Sequence, residues 1–150
     1  MEASPWDVLV VSSNLENRQD VAGMLFRLGL DPICVSTIEQ CKALPERGKV
    51  GLVFCDRDLK DGDYRDVVAA VESNEGTSPM VVMMAELESH EAYQRARRDG
   101  LFDVISYPCR PTDVEWMVIL ARRNSRSQSK GFSAPARNLA QLWRAAGAGA

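Results

Sequence analysis

Short, nearly continuous apolar runs alternate along this chain with longer stretches in which apolar residues recur every three or four positions. The runs are typical of strands that are buried on both faces, and the recurring positions are typical of helices with one buried side. The predicted strands are Trp6–Val11, Asp31–Ser36, Val50–Cys55, Met80–Met84 and Phe102–Ser106. The pattern therefore predicts an α/β protein.

A helix is predicted after each strand. Asn14 can cap the first helix, which ends at Gly29 and has Leu15, Val21 and Leu25 at helical spacings. The other helices are predicted at Thr37–Leu44, at Asp63–Ser73, at Glu88–Asp99 and from Pro111 to about Arg123. Alternating strands and helices imply βαβ units. We predict a doubly wound, flavodoxin-like fold with a five-stranded parallel sheet in the order 2-1-3-4-5 and five flanking helices.

Charge divides the chain into an acidic body and a basic tail. Residues 1–120 carry 12 basic and 21 acidic side chains, a balance of −9, whereas residues 121–150 carry six basic side chains and no acidic one. We predict a domain over 1–123 and a basic Ser/Arg linker over 124–150 that includes a short helix at 136–146. In that helix Leu139, Leu142 and Trp143 share one side. The tail is expected either to link the domain to a partner or to dock on its own or a neighbouring domain.

Composition narrows the range of functions. No apolar stretch approaches the roughly 20 residues that span a bilayer, and the N-terminus lacks the features of a signal peptide, so we expect a cytoplasmic protein without a membrane partner. The acidic body makes nucleic acid an unfavourable partner. A lone His90 argues against a histidine metal site or a catalytic triad, and no enzymatic activity is expected.

The cysteines are expected to be reduced thiols, because their spacing does not match a metal site. They are Cys34, Cys41, Cys55 and Cys109. A redox pair between Cys55 and Cys109 is an alternative interpretation.

Asp56 directly follows the third predicted strand, at the edge where open α/β sheets place their ligands. Ser12 and Ser13 follow the first strand, which is the neighbour of the third in the predicted order. The three residues should therefore meet in one crevice. A carboxylate there could accept a phosphoryl group, hold a metal or cap the following loop. Asp58 is a candidate second metal ligand beside Asp56.

The order and spacing of four segments resemble the receiver domain of two-component response regulators, over roughly residues 5–123. The segments are Val8–Asn14, Phe54–Asp56 with Asp61-Gly62, Val81–Ala85 and Asp103–Pro108. The resemblance implies a domain of a phosphorelay, in which Asp56 accepts a phosphoryl group from a histidine kinase.

The supporting residues that this family normally has are replaced here. The two acidic residues that hold Mg²⁺ correspond to Ser12 and Ser13, and the switch hydroxyl after the fourth strand corresponds to Ala85. The lysine that precedes a usually cis proline corresponds to Tyr107, before Pro108. The resemblance thus identifies a receiver with a degenerate pocket.

These replacements affect the chemistry at Asp56. Serine hydroxyls are poor substitutes for carboxylates as Mg²⁺ ligands, and phosphoryl transfer depends on neutralising charge. Phosphorylation is therefore expected to be impaired or absent, and no cofactor is expected. The hydroxyls of Ser12 and Ser13 are expected to donate hydrogen bonds to Asp56 and to favour its ionised form. Tyr107 is expected to fill the space of the missing lysine.

The leading hypothesis is an atypical receiver that works as a protein-interaction module. Its partners would be signalling proteins, either a histidine kinase or an output protein, or a second copy that forms a homodimer. The expected surface is the fourth helix, fifth strand and fifth helix. The candidate contact residues on or near that surface are His90, Tyr93, Arg97 and Arg98.

Two alternatives stay open. One is a phosphorylatable receiver with a non-standard Mg²⁺ site built on Asp56 and Asp58, with Glu86 as a further candidate ligand and Arg110 as a candidate replacement for the missing lysine. The other is a flavodoxin-like ligand-binding protein, in which Ser12-Ser13-Asn14 would form a phosphate-binding loop at a helix N-terminus.

Overall fold

The computed structural model describes residues 7–45, 49–72 and 78–129, with side chains up to residue 124. The strands are β1 (Asp7–Val11), β2 (Ile33–Val35), β3 (Val50–Asp56), β4 (Asp58–Leu59), β5 (Gly62–Asp63), β6 (Met80–Met84) and β7 (Asp103–Ile105). The helices are α1 (Leu15–Arg27), α2 (Ile38–Lys42), α3 (Tyr64–Val71), α4 (His90–Arg98) and α5 (Pro111–Ser129). Trp6, Ser73 and the predicted helix at 136–146 lie outside the described residues.

Five parallel strands form the main sheet in the order β2-β1-β3-β6-β7. This order confirms the predicted topology, with β6 and β7 as the fourth and fifth strands. β1 and β3 are neighbours and pair Val11 with Cys55, so the chain leaves both strands at the same edge of the sheet. That edge brings Ser12 next to Asp56.

The sheet is covered on both faces, as the apolar runs predict. In β3, Leu52 and Phe54 face the side that α1 and α5 cover, whereas Val53 and Cys55 face the side of α2, α3 and α4. Cys109 packs on the side opposite Cys55, and both thiols are free. The proposed redox pair is therefore not supported, because the sheet separates the two residues.

Two features differ from the sequence prediction. β4 and β5 form a short antiparallel hairpin in a segment predicted as a loop, because strands of two residues are too short to show an alternating pattern. Helix α5 continues to Ser129, beyond the end predicted near Arg123. No glycine or proline interrupts the sequence between Pro111 and Gly131, so nothing local stops the helix. In the ranges described, no helix has both the length and the apolar character to cross a membrane.

β7 lies at one edge of the sheet, and a buried carboxylate closes part of that edge. Asp103 is 1% exposed, and its Oδ1 accepts the backbone N–H of Val104 at 2.8 Å. The same oxygen accepts the hydroxyl of Tyr93 from α4 at 2.9 Å. Arg97 Nη1 donates to the Tyr93 oxygen at 3.2 Å. This network attaches α4 to the edge strand.

Candidate functional site

The carboxylate of Asp56 is held by three donors of the protein itself. The Ser12 hydroxyl donates to Oδ2 at 2.8 Å, and the backbone N–H of Ser13 donates to the same oxygen at 3.1 Å. The side-chain amide of Asn17 donates to Oδ1 at 3.3 Å. Ser12, Ser13 and Asp56 thus meet where the sequence predicted them, and Asn17 joins them.

Asn17 reaches the site because α1 begins beside it. The side chain of Asn14 caps the helix by accepting the Asn17 backbone N–H at 2.9 Å, which places Asn17 in the first turn. Its side chain is 4% exposed and also donates to Ser12 Oγ at 3.3 Å. Asn17 was missed in the sequence, although a signal is present. It precedes Val21 and Leu25 at four-residue spacing, so it is a polar residue on the buried side of the helix.

Ser13 has a different role from the one predicted. Its hydroxyl does not bond Asp56 but donates to the carbonyl of Ser36 at 3.2 Å and accepts the backbone N–H of Lys60 at 3.3 Å. The expectation that both serine hydroxyls bind Asp56 is wrong for Ser13, because its side chain points between the neighbouring loops. Ser13 therefore links the segments that follow β1, β2 and β3.

Burial raises the pKa of Asp56 above its usual value. The hydrogen bonds from Ser12, Ser13 and Asn17, and the nearby charge of Arg18, act in the opposite direction but do not outweigh burial. The predicted effect of the hydrogen bonds is correct in sign, but burial, which the sequence did not reveal, outweighs it and leaves the pKa of Asp56 raised. Arg18 is fixed close by, because its Nη1 donates to the Ser12 carbonyl at 2.6 Å.

The side chains that contact Asp56 are neutral donors and not the carboxylates that usually hold Mg²⁺. Mg²⁺ binds oxygen lone pairs, whereas Ser12 and Asn17 direct donors at the carboxylate. The Asp58 side chain is 80% exposed and lies 3.7 Å from Arg57. Over the described part of the chain, no cluster of three His, Cys, Asp or Glu side chains is arranged to hold a metal.

An open cleft lies beside Asp56. Besides Asp56 itself, the residues that line it are Arg57, Asp58, Met84, Ala85, Glu86 and Tyr107. The Tyr107–Pro108 peptide bond is cis. Arg110 is exposed and is not among the residues of the cleft, and its charge acts on Asp113. Tyr107 and Glu86 thus line the cleft, whereas Arg110 is exposed and does not replace the missing lysine there.

A second concave surface lies between α4 and β7. We call it the α4–β7 groove, and its lining includes Leu87, His90, Tyr93, Val104 and Ser106. Val104 stands on the α4 side of the sheet and packs against the core there. Within the described residues, the buried Ser106 Oγ and the Nε of Arg97 have no hydrogen-bond partner.

The fold is that of response regulator receiver domains. Of the solved structures that match, the signal receiver domain of a LuxO repressor protein from Vibrio parahaemolyticus has a TM-score of 0.73 at 18% identity, over 87% of this chain and 100% of that one. A two-component response regulator from Clostridium difficile has a TM-score of 0.69 at 19% identity, over 80% and 98%.

A third match is a receiver domain from Saccharomyces cerevisiae, Ssk1, solved together with the histidine phosphotransfer protein Ypd1. It has a TM-score of 0.63 at 15% identity, over 80% of this chain and 94% of that one. No family model matches the sequence, and no curated protein matches it. The similarity at these identities is one of fold.

Proposed function

We propose that this protein is an atypical receiver domain in two-component signalling, which binds a protein partner without phosphorylation of Asp56. Residues 1–123 form the receiver unit in this proposal, and residues 124–150 form an appended tail. The observation that carries the proposal is the set of donors around Asp56. Both carboxylate oxygens accept hydrogen bonds from the protein, and neutral side chains stand where the receiver family has metal-binding acids.

For phosphorylation of Asp56, the missing positive charge in the pocket matters more than the missing hydroxyl group. A phosphoryl group adds about −1.5 to −2 charges, which need neighbouring cations. Arg18 lies close to Asp56, but its guanidinium already donates to the Ser12 carbonyl. Arg57 lines the cleft, but it is paired with the carboxylates of Asp58 and Glu88. Tyr107 offers no positive charge in the cleft, and Ala85 offers no hydroxyl. A phosphoryl group on Asp56 would therefore lack the partners that stabilise it.

The first test is the intact mass of the protein after incubation with acetyl phosphate, with and without Mg²⁺. We expect no added phosphoryl group under either condition. The matched control is a variant with Ser12→Asp, Ser13→Asp, Ala85→Thr and Tyr107→Lys, which restores the usual pocket and should gain the mass. A Mg²⁺-dependent gain in the native chain that disappears in Asp56→Asn would contradict the proposal and favour a working receiver with a non-standard metal site.

The α4–β7 groove is the proposed partner surface. A buried donor without an acceptor costs about 1–3 kcal/mol, and Ser106, whose hydroxyl has no partner, lines the groove, so this surface favours a partner that supplies an acceptor. Backbone carbonyls or carboxylates of another protein have this chemistry. The yeast receiver of similar fold, which is solved with a phosphotransfer protein, supports a protein as the partner.

The partner surface can be tested separately from Asp56. Ser106→Arg places a large side chain in the α4–β7 groove and should abolish binding of the partner in a pull-down. Asp56→Asn should leave that binding unchanged. The reverse pattern, in which Asp56→Asn abolishes binding and Ser106→Arg does not, would show that the carboxylate controls the interaction.

A further inference from the structure

The outer side of α1 leaves a large aromatic ring in solvent. Phe26 is 61% exposed, whereas Val21 and Leu25 on the inner side are fully buried. Ala22 is one turn before Phe26 on the same side of the helix. A Cβ atom added at the adjacent Gly23 would meet nothing within 4 Å. The ring of Phe26 therefore lies beside open space, from which another apolar element can approach the helix.

The C-terminal end of α5 lies at the end of the sheet where Phe26 is found. Both α1 and α5 follow parallel strands and pack against the same face of the sheet, so the two helices run in the same direction. They are in contact. α1 has 13 residues and α5 has 19, so α5 is longer by about 9 Å. Phe26 is the penultimate residue of α1, on the end toward which α5 extends.

The sequence after α5 supplies an apolar surface of matching size. Residues 136–146 are predicted to form a short helix in which Leu139, Leu142 and Trp143 share one side. Nine residues, 130–138, connect α5 to Leu139, and nine extended residues reach about 30 Å. Neighbouring helices are about 8–10 Å apart, so this connection is long enough to pass around the end of α1.

Charge favours the same arrangement. The last 30 residues have six basic side chains and no acidic one, and the first 120 residues have a balance of −9. The tail is therefore attracted to the body of its own chain. The attraction does not select a position. The exposed ring of Phe26 marks one, and the connection is long enough to reach it.

We propose that the segment 136–146 docks on the outer face of α1 in the same chain, with Leu142 and Trp143 packed against Phe26. Leu15 provides a matched control. It is 58% exposed on the same side of α1 but lies 11 residues earlier, about 16 Å from Phe26 along the helix. A docked helix that contacts Phe26 with residues of a single turn does not reach Leu15.

The experiment is ¹H–¹⁵N NMR of the full chain, with the indole signal of Trp143 assigned by its loss in Trp143→Phe. Phe26→Ser should move this indole signal toward the position of an exposed tryptophan, and Leu15→Ser should leave it in place. In the reverse direction, Leu142→Asp should shift the backbone amides near Phe26 and not those near Leu15. Phe26 is on the surface, so its substitution should leave the circular dichroism of the fold unchanged.

Three results would overturn the proposal. One is a Trp143 signal that is insensitive to Phe26→Ser. Another is an equal response to Leu15→Ser, which would indicate a general effect on α1. The third is a sedimentation coefficient that rises with concentration in the native chain but not in Phe26→Ser, because that would place the tail on a second copy.

Discussion

Ser12 and Ser13 are adjacent serines whose hydroxyl groups have different partners, which allows a sharp test of the cluster around Asp56. The Ser12 hydroxyl is fully buried and donates to the carboxylate of Asp56. The Ser13 hydroxyl bonds the backbone of Ser36 and Lys60. Replacing each serine by alanine removes one hydroxyl group and leaves the backbone donor of Ser13 to Asp56 in place.

The expected losses of stability differ. A hydrogen bond to a charged group contributes about 1.5–3 kcal/mol, and one between neutral groups contributes about 0.5–1.5 kcal/mol. Asp56 is only half-buried, so we expect Ser12→Ala to lower the free energy of unfolding by about 2 kcal/mol at pH 7. Ser13→Ala should lower it by about 1 kcal/mol, because both of its partners are neutral.

The pKa of Asp56 gives a second, independent measurement. The Ser12 hydroxyl favours the ionised form, so Ser12→Ala should raise this pKa further, and Ser13→Ala should leave it unchanged. Because the pKa of Asp56 is already raised in the folded state, the folded state binds more protons there than the unfolded state. Stability therefore falls as the pH rises from the unfolded to the folded pKa. This fall should be larger in Ser12→Ala.

Urea unfolding followed by circular dichroism gives the free energies, and ¹³C NMR of the aspartate carboxyl groups gives the pKa. The prediction requires that the two variants differ in both measurements. Equal losses of free energy, together with equal shifts of the Asp56 pKa, would refute the assignment of the Ser12 hydroxyl as the donor.

Two further predictions concern tyrosine hydroxyls. Tyr93→Phe should lower the free energy of unfolding in urea by about 1–2 kcal/mol, because it removes a 2.9 Å hydrogen bond to the buried Asp103; no change would contradict that role. Burial, and then the 2.6 Å hydrogen bond to Asp99, raise the pKa of Tyr64 to about 12. Absorbance titration should find this pKa of Tyr64, and Asp99→Asn should lower it. The stability that comes from the Tyr64–Asp99 hydrogen bond is lost as the pH rises toward 12.

The main sheet was predictable because burial on both faces leaves continuous apolar runs such as Met80–Met84. The N-cap of α1 was also predictable, since Asn14 is a favoured capping residue before a periodic helix. The β4–β5 hairpin was not, because its residues are mostly charged or glycine. The local sequence pattern therefore predicts the strands of the main sheet and the start of α1, but it does not predict the short β4–β5 hairpin.

The site was predictable as far as strand order determines it. Because β1 and β3 are neighbours, Ser12 and Asp56 lie close together irrespective of the orientation of their side chains. The direction of the Ser13 hydroxyl depends on the loops after β2 and β3, and the contact of Asn17 depends on how α1 packs. Both are tertiary effects. The raised pKa of Asp56 is likewise a consequence of burial, and the extent of burial cannot be predicted from the sequence.

The hydrogen bond from Val104 N–H to Asp103 also bears on how the protein behaves at high concentration. A free strand edge offers unpaired backbone groups on which a strand of another molecule can assemble into a fibre. On β7 this N–H group is already occupied within the chain, and β2 at the opposite edge is only three residues long. Extension of the sheet is therefore disfavoured at β7 by this hydrogen bond and at β2 by the shortness of the strand.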